Sequence, residues 1–250
     1  MIIFRRFIVE IVLATSFIAT CTNGFAQDST YHLLGDFEKN WQQHWLERKI
    51  IGKSTVYEVV VEEDSNSVLM GKSAASASGL WRMLDIPAAS RGTITWRWKV
   101  KKALSDNIRE RSKRGDDYAA RLFVVFEPHF LSWKTRALCY VWSANQPVGA
   151  EFKSPYTNSL RTIVVQSGNQ NKGKWIKEKR NIIADYQKSF GKLPEMITAV
   201  AIMVDTDNSN QVALAWFDDI VVKVSKSEKA SPRTNGPRSR TFNRNHHDQM

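Results

Sequence analysis

Asp117 and Arg121 are the first candidates for chemistry in this 250-residue sequence. They belong to the segment GDDYAARLFVVF, residues 115–126, in which two acids precede an apolar run that contains one guanidinium. On an extended strand Asp117, Arg121 and Phe123 share one face, while Tyr118 and Leu122 point into the core. A guanidinium in an apolar strand needs a carboxylate or a ligand as its partner. The segment therefore predicts either a ligand-binding pair or a structural Arg–Asp pair at a strand end.

Trp142 and Asn145 lie in the segment YVWSANQPVG, residues 140–149, where aromatic side chains at a strand exit precede two amides and a proline. Aromatic rings stack on the apolar face of a sugar, and amides hydrogen-bond its hydroxyl groups. The segment predicts a sugar-binding platform. The alternative is that aromatic side chains at strand spacing belong to the core.

Asp205 follows a buried apolar segment and opens the pattern Asp205-x-Asp207-x-Ser209, which is similar to the start of a calcium loop. An EF-hand has glycine at the sixth loop position and glutamate at the twelfth, where this chain has Asn210 and Trp216. An EF-hand is therefore excluded. A hairpin turn built on Asp and Asn side chains is the favoured interpretation.

Three function classes remain open. The sequence lacks the G-x-S-x-G, H-E-x-x-H, P-loop and C-x-x-C motifs, which favours non-catalytic binding of a carbohydrate or a similar polar ligand. The alternatives are a polysaccharide-acting hydrolase or lyase that uses clustered carboxylates, and a structural envelope protein. For a binding protein we predict that five ligand-binding side chains meet in one groove: Asp117, Arg121, Trp142, Asn145 and Asp205.

The elements that would position these side chains are mostly short β-branched or aromatic runs separated by polar turns. In residues 96–100, WRWKV, the aromatic side chains and the valine share one face and the cations share the other. One helix is predicted from the apolar stripe of Ile182, Ile183, Tyr186 and Phe190, with Gly191 as its end. Many strands and a single helix predict an all-β fold, a two-sheet antiparallel jelly-roll sandwich with one short helix.

Residues 101–115 form a long polar insertion that is dense in charge. A long loop in a compact domain is often functional. The alternative is a solvated excursion with no role in binding.

The N-terminus predicts a signal peptide over residues 1–26. Arg5 and Arg6 form a cationic start, residues 11–20 are apolar or small, and Ala26 ends a small-residue cleavage site. The apolar stretch is too short for a membrane span, which needs about 20 residues, and no later stretch resembles a transmembrane helix. We expect a periplasmic or secreted protein whose remaining cysteine, Cys139, makes an intramolecular disulfide impossible.

The mature chain is expected to hold a β-sandwich domain over residues 27–224 and a disordered basic tail over residues 225–250. The tail has six Lys or Arg residues against two acids, and one aromatic residue, within a chain of formal net charge +11. An exported protein meets little nucleic acid, so no nucleic acid partner is expected. The expected partners are a glycan or another envelope component, and the tail suits anionic surfaces.

Taken together, GDDYAARLFVVF, YVWSANQPVG, EKRNIIADYQKSFG and AVAIMVDTDNS resemble the exported bacterial proteins of the domain of unknown function 3047 family. The resemblance covers about residues 34–222 and implies a bacterial envelope protein. It brings no established activity and no catalytic residues.

A looser resemblance is to jelly-roll carbohydrate-binding modules of the galactose-binding-like type. It rests on four segments: residues 34–38, LGDFE; 78–81, SGLW; 173–175, GKW; and 216–220, WFDDI. Such modules often hold a structural calcium where the first and last strands meet. The resemblance implies that Asp36, Glu38 and Asp218 would be its metal ligands here.

Overall fold

The computed structural model describes residues 29–126 and 135–225. The predicted signal peptide and residues 226–250 of the predicted tail lie outside these ranges. Within them, the strands are β1 (Ser29–Gly35), β2 (Leu46–Gly52), β3 (Val56–Val61), β4 (Ser67–Ala74), β5 (Ser76–Pro87), β6 (Arg91–Val100), β7 (Tyr118–Phe126), β8 (Arg136–Ser143), β9 (Glu151–Lys153), β10 (Leu160–Ser167), β11 (Ile176–Asn181), β12 (Met196–Asp205) and β13 (Val212–Ser225). The helix α1 spans Ile182–Phe190, and a short 3-10 turn spans Trp41–Gln43. No helix in the described ranges is long and apolar enough to cross a membrane.

The strands form two sheets, which confirms the predicted two-sheet sandwich. The six-stranded sheet has the order β11-β6-β13-β4-β3, and β1 also pairs with β13. The seven-stranded sheet has the order β2-β5-β12-β7-β8-β10-β9. The strand pairs are antiparallel apart from β8 and β10, which run parallel to each other.

The core lies between the two sheets and is rich in aromatic side chains. Trp96, Trp98 and Val100 of β6 are fully buried, as the alternation predicted. The Trp96 and Trp98 rings meet edge to face at 5.4 Å between centroids. Trp142 from β8 packs on Trp98 at 5.9 Å, so the two sheets interlock through their tryptophans.

The predicted helix is confirmed. Asn181 caps its first turn, because the side-chain oxygen accepts the Ala184 N–H at 3.0 Å. Gly191 ends the helix in the left-handed region, with φ of 75°. Ile183 and Tyr186 are buried and cover one end of the core.

A one-residue bulge in β7 changes which side chains share its outer face. Met203 pairs with Arg121 but Asp205 pairs with Tyr118, so two steps along β12 match three along β7. Tyr118 therefore lies on the outer face with Arg121, whose guanidinium is 4.4 Å from the Tyr118 ring centroid. The prediction that Tyr118 points into the core between the sheets is wrong, because it assumed unbroken alternation. On the outer face, the Tyr118 ring packs against Cys139, which is also fully buried.

Candidate functional site

A groove with a volume of about 420 Å³ crosses the outer face of the seven-stranded sheet. Its floor comes from β5, β12 and β7, because Leu80 and Leu122 of these strands point into the core and the alternate residues point outward. This volume is within the range of about 300–1,000 Å³ that is typical of small-ligand sites. We call this cavity the outer groove.

The apolar part of the outer groove centres on two aromatic rings. Trp81 and Phe123 lie nearly parallel, at 17° and 6.4 Å between centroids. The Arg48 guanidinium lies 5.1 Å from the Trp81 ring centroid. Ile50 and Ile51, which are 58% and 60% exposed, also line the outer groove. Trp81 was not among the site residues predicted from the sequence, although its position next to an inward-pointing Leu80 places it on the solvent side.

The polar end of the outer groove is built around Arg121, which is 4% exposed. Its Nε donates to Asp205 Oδ1 at 2.8 Å, and a terminal nitrogen donates to the second oxygen of Asp205. The other terminal nitrogen is 3.3 Å from Asp116 Oδ1. The guanidinium is thus held between two carboxylates at the base of the groove.

Burial dominates the protonation of Asp205. It raises the pKa of Asp205 from 3.8 to about 7, and the positive charge of Arg121 limits the rise. Burial lowers the pKa of Arg121, but the neighbouring Asp205 and Asp116 charges together outweigh it and raise the pKa well above its ordinary value, so the guanidinium stays charged. The base of the groove can therefore gain or lose a proton near neutral pH while Arg121 remains a cation.

Asp117 holds the turn that follows β12. Its carboxylate accepts the Asn208 N–H at 3.2 Å, the Asn208 side-chain N–H at 3.0 Å and the Ser209 N–H at 2.6 Å. Asp117 is fully buried. The turn is thus held by a carboxylate from outside it, whereas the sequence favoured turn chemistry by the Asp and Asn side chains of the turn itself.

The carboxylates of Asp117, Asp205 and Asp207 each place one oxygen atom within 4.8 Å of the others. Oxygens this close leave no room for a sugar ring between them. Arg121 and the turn N–H groups already take up the oxygens of Asp205 and Asp117. The cluster resembles a hydrogen-bonded structural corner rather than two carboxylates that face each other across a substrate.

Trp142 and Asn145 do not line the outer groove. The prediction of an exposed Trp142 is wrong: it is 1% exposed, packs on Trp98 and donates its indole N–H to the Gly168 carbonyl at 3.0 Å. Asn145 donates to the Asp106 and Ile108 carbonyls, both at 2.7 Å, and so fastens the insertion. Of the five predicted residues, Asp117, Arg121 and Asp205 lie together.

The insertion of residues 101–115 is anchored to the body rather than being a free excursion. Glu110 is 1% exposed and accepts the Ser143 hydroxyl at 2.5 Å and the Ala144 N–H at 2.6 Å. Burial raises the pKa of Glu110, and these hydrogen bonds oppose the rise. The charged sequence therefore has a fixed course across one end of the sandwich.

Two of the three implied calcium ligands have hydrogen-bond partners of their own. Glu38 accepts the Ser67 N–H at 3.0 Å, and Asp218 accepts from Asn66 at 2.9 Å and from Arg97 at 2.5 Å. One Asp218 oxygen, Oδ1, is buried without a hydrogen-bond partner, which suits a cation, but the Arg97 charge beside it opposes one. Asp36 lies within electrostatic range of Arg82. A calcium at Asp36, Glu38 and Asp218 stays a prediction.

Comparison with known proteins gives one family and a set of solved structures. The family model described as "Protein of unknown function (DUF3047)" matches residues 39–221. No curated protein matches the chain.

Similar solved structures include carbohydrate-binding modules, as the looser resemblance implied. The family 11 module of a cellulosomal cellulase of Clostridium thermocellum is 11% identical over 81% of this chain and 98% of the module, with a TM-score of 0.44. The family 11 module from Clostridium thermocellum in complex with a β-1,3-1,4-mixed-linked tetrasaccharide is 13% identical over 80% and 98%, with a TM-score of 0.43. The K1 cleaved adhesin domain of Lys-gingipain from Porphyromonas gingivalis W83 is 14% identical over 79% and 98%, with a TM-score of 0.41.

Proposed function

The chain belongs to the DUF3047 family of proteins of unknown function, and we propose that it is an exported, non-catalytic protein that binds a glycan in the outer groove. The observation that carries the proposal is the pairing of an aromatic floor, Trp81 and Phe123, with a polar end that offers several oxygen acceptors.

The floor suits the apolar face of a sugar ring. Trp81 is half-buried and its ring stacks on that of Phe123, so the two rings together form one apolar surface. Aromatic rings bury a large apolar area at low cost in conformational freedom. The bound ring would lie over this surface in the middle of the sheet.

The polar end suits sugar hydroxyl groups. Asp116, Asp207 and Asn208 line the outer groove next to Arg121. Because Arg121 and the turn N–H groups fix the carboxylates, their remaining lone pairs are aimed before a ligand arrives, and little ordering is required on binding. A hydroxyl can donate to these oxygens without competing for the ion pair.

Export is part of the proposal and depends on the N-terminal sequence. Arg5, Arg6, the apolar stretch and Ala26 predict cleavage, which would release the protein into the periplasm or the medium. N-terminal sequencing of protein recovered there is expected to begin at Gln27. A full-length chain that stays in the cytoplasm would contradict export and, with it, access to envelope glycans.

Trp81→Ala tests the binding site. The substitution is expected to weaken binding of a retained glycan by tenfold or more, since losing a central aromatic contact commonly costs about 2 kcal/mol and each 1.4 kcal/mol is a factor of about ten. The measurement is a glycan array of bacterial envelope and plant polysaccharides, followed by affinity electrophoresis with the polysaccharide retained most strongly. Trp216→Ala is the matched control, because Trp216 is half-buried on the outer face of the other sheet.

Three outcomes separate the alternatives. Loss of binding in the Trp81 variant alone supports the outer groove. Equal binding by both variants and the wild type places the glycan elsewhere. No retained glycan favours the structural envelope protein, and shortening of a polysaccharide during incubation favours the hydrolase or lyase.

A further inference from the structure

A second cavity, of about 440 Å³, lies between the insertion and the turn that follows β12. We call it the insertion pocket. Its polar lining consists of three cations, two hydroxyls and two amides: Arg109, Lys113, Arg114, Ser112, Ser209, Asn107 and Gln211. No described carboxylate lines it, in contrast to the acidic end of the outer groove.

The three cations are not committed to partners in the described part of the chain. Arg109, Lys113 and Arg114 are exposed, and none forms an ion pair with a described carboxylate. Lys113 lies near the Tyr156 ring, 5.6 Å from its centroid. Positive charges gathered around one cavity repel each other and raise the local concentration of anions. The insertion pocket therefore favours a negatively charged occupant.

Two polar groups add unused donors. The Ser209 hydroxyl oxygen is buried with no hydrogen-bond partner among the described residues. A buried polar group without a partner is costly, so it marks a position where a ligand or water atom belongs. Gln211 accepts the Ser105 N–H through its side-chain oxygen at 3.0 Å, which leaves its NH₂ group as a donor.

The pocket wall is a built structure. The Ser112 N–H donates to the Arg109 carbonyl at 2.8 Å, and the Gly115 N–H donates to the Ser112 carbonyl at 3.0 Å. A Cβ atom at Gly115 would lie 2.7 Å from the Arg109 backbone, so only glycine permits this close approach. Together with the buried Glu110 anchor, these contacts hold the cations around the cavity.

We propose that the insertion pocket binds an oxyanion, the carboxylate, sulfate or phosphate group of an acidic glycan whose neighbouring ring lies in the outer groove. The identity of the glycan as acidic rests on the proposed function, whereas binding of the oxyanion does not. The two cavities adjoin: Asn208 lines the outer groove and Ser209 lines the insertion pocket. Tyr156 also joins them, because it lines the groove and donates to the Lys113 carbonyl at 2.8 Å.

The first experiment tests the pocket with inorganic sulfate and, in parallel, inorganic phosphate. The amide resonances of Arg114 and Ser209 are followed by NMR as either anion replaces chloride at constant ionic strength. Saturable shifts are expected. Arg109→Gln/Lys113→Gln/Arg114→Gln is expected to weaken binding at least tenfold. The charge-matched control Lys72→Gln/Lys177→Gln/Lys179→Gln, with all three residues exposed on the other sheet, is expected to bind as the wild type does. Shifts that do not saturate, or equal weakening in both triple variants, would overturn the proposal.

The second experiment places neutral glycans beside their carboxylated, sulfated and phosphorylated counterparts on one array. Preference for an acidic member that is lost in the insertion-pocket variant, but kept in its control, supports the proposal and identifies the anionic group. Retention of neutral glycans alone would overturn the acidic assignment. Trp81→Ala separates the two proposals. It should lose glycan binding and keep sulfate binding, whereas the insertion-pocket variant should lose sulfate binding and keep the binding of neutral glycans.

Discussion

Arg121→Met is expected to lower the free energy of unfolding by about 3–5 kcal/mol, the usual result of removing one partner of a buried ion pair. Methionine keeps much of the side-chain volume but removes the only described cation that contacts Asp205 and Asp116. Those carboxylates would remain buried beside Asp117 with no compensating charge. Denaturant unfolding at pH 7, compared with the wild type, measures the loss.

The loss is expected to depend on pH. Burial already raises the pKa of Asp205 to about 7, and removing Arg121 removes the charge that limits the rise. A group whose pKa is raised on folding stabilises the folded state when it is protonated. For Asp205 this stabilisation is complete below 3.8, the pKa in the unfolded chain, and it is lost as the pH rises through the pKa in the folded state. The deficit of the variant should therefore be larger at pH 8 than at pH 5.

Two further variants make the Arg121 result specific. Lys188→Met breaks the ion pair between Lys188 and Glu151, in which the lysine side chain is 73% exposed. This change should leave the free energy of unfolding unchanged. Arg121→Met/Asp205→Leu should recover part of the loss, because one of the stranded charges is then gone. Equal stability of the Arg121 single variant and the wild type at both pH values would show that the groove corner is solvated and that the pair is not structural.

Trp142→Ala is expected to lower the free energy of unfolding by about 3–5 kcal/mol, the usual cost of truncating a large buried aromatic side chain. The substitution removes the ring contact with Trp98, leaves a cavity between the sheets and removes the hydrogen bond to the Gly168 carbonyl. Trp142→Phe keeps most of the ring volume and should lose less. Unfolding curves of both variants, measured beside the wild type, give the two values.

The same variants distinguish a core residue from a binding residue. The folded fraction of the Trp142 variants should bind glycan as the wild type does, whereas Trp81→Ala should lose binding with a smaller change in stability. Loss of binding by folded Trp142→Phe, with stability retained, would contradict the core assignment and return Trp142 to the ligand site.

The sequence predicted those parts of the fold that have regular alternation. The residues 96–100 and 118–126 fall in β6 and β7, and the Asn181 to Gly191 helix is as expected. It missed β1, β2, β4 and β9. β2 is exposed throughout and β9 has three residues, and an exposed or very short strand leaves no apolar pattern. Parallel pairing of β8 and β10 depends on the whole topology, and no local pattern encodes it.

The candidate site was predicted in part for related reasons. The sequence paired Arg121 with Asp117, whereas the pairing of β7 with β12 brings Asp205 to the guanidinium instead. Trp142 was assigned to the surface because it lies at a strand end, but both faces of β8 are covered. Trp81 was missed because a single outward tryptophan does not indicate a site by itself. Its contact with Phe123 joins β5 and β7, which lie on either side of β12, and only the sheet order brings them together.

The first and last described strands lie side by side, with Ser29 paired to Ser225 in the six-stranded sheet. The two ends of the described body therefore lie at one place, in the sheet across the core from the outer groove. Tethering through either end therefore leaves the groove facing away from its support. Neighbouring ends also allow such a body to be inserted into a surface loop of a larger protein without forcing the loop apart. The same sandwich can thus stand at the end of a longer chain or within one, with the outer groove still exposed.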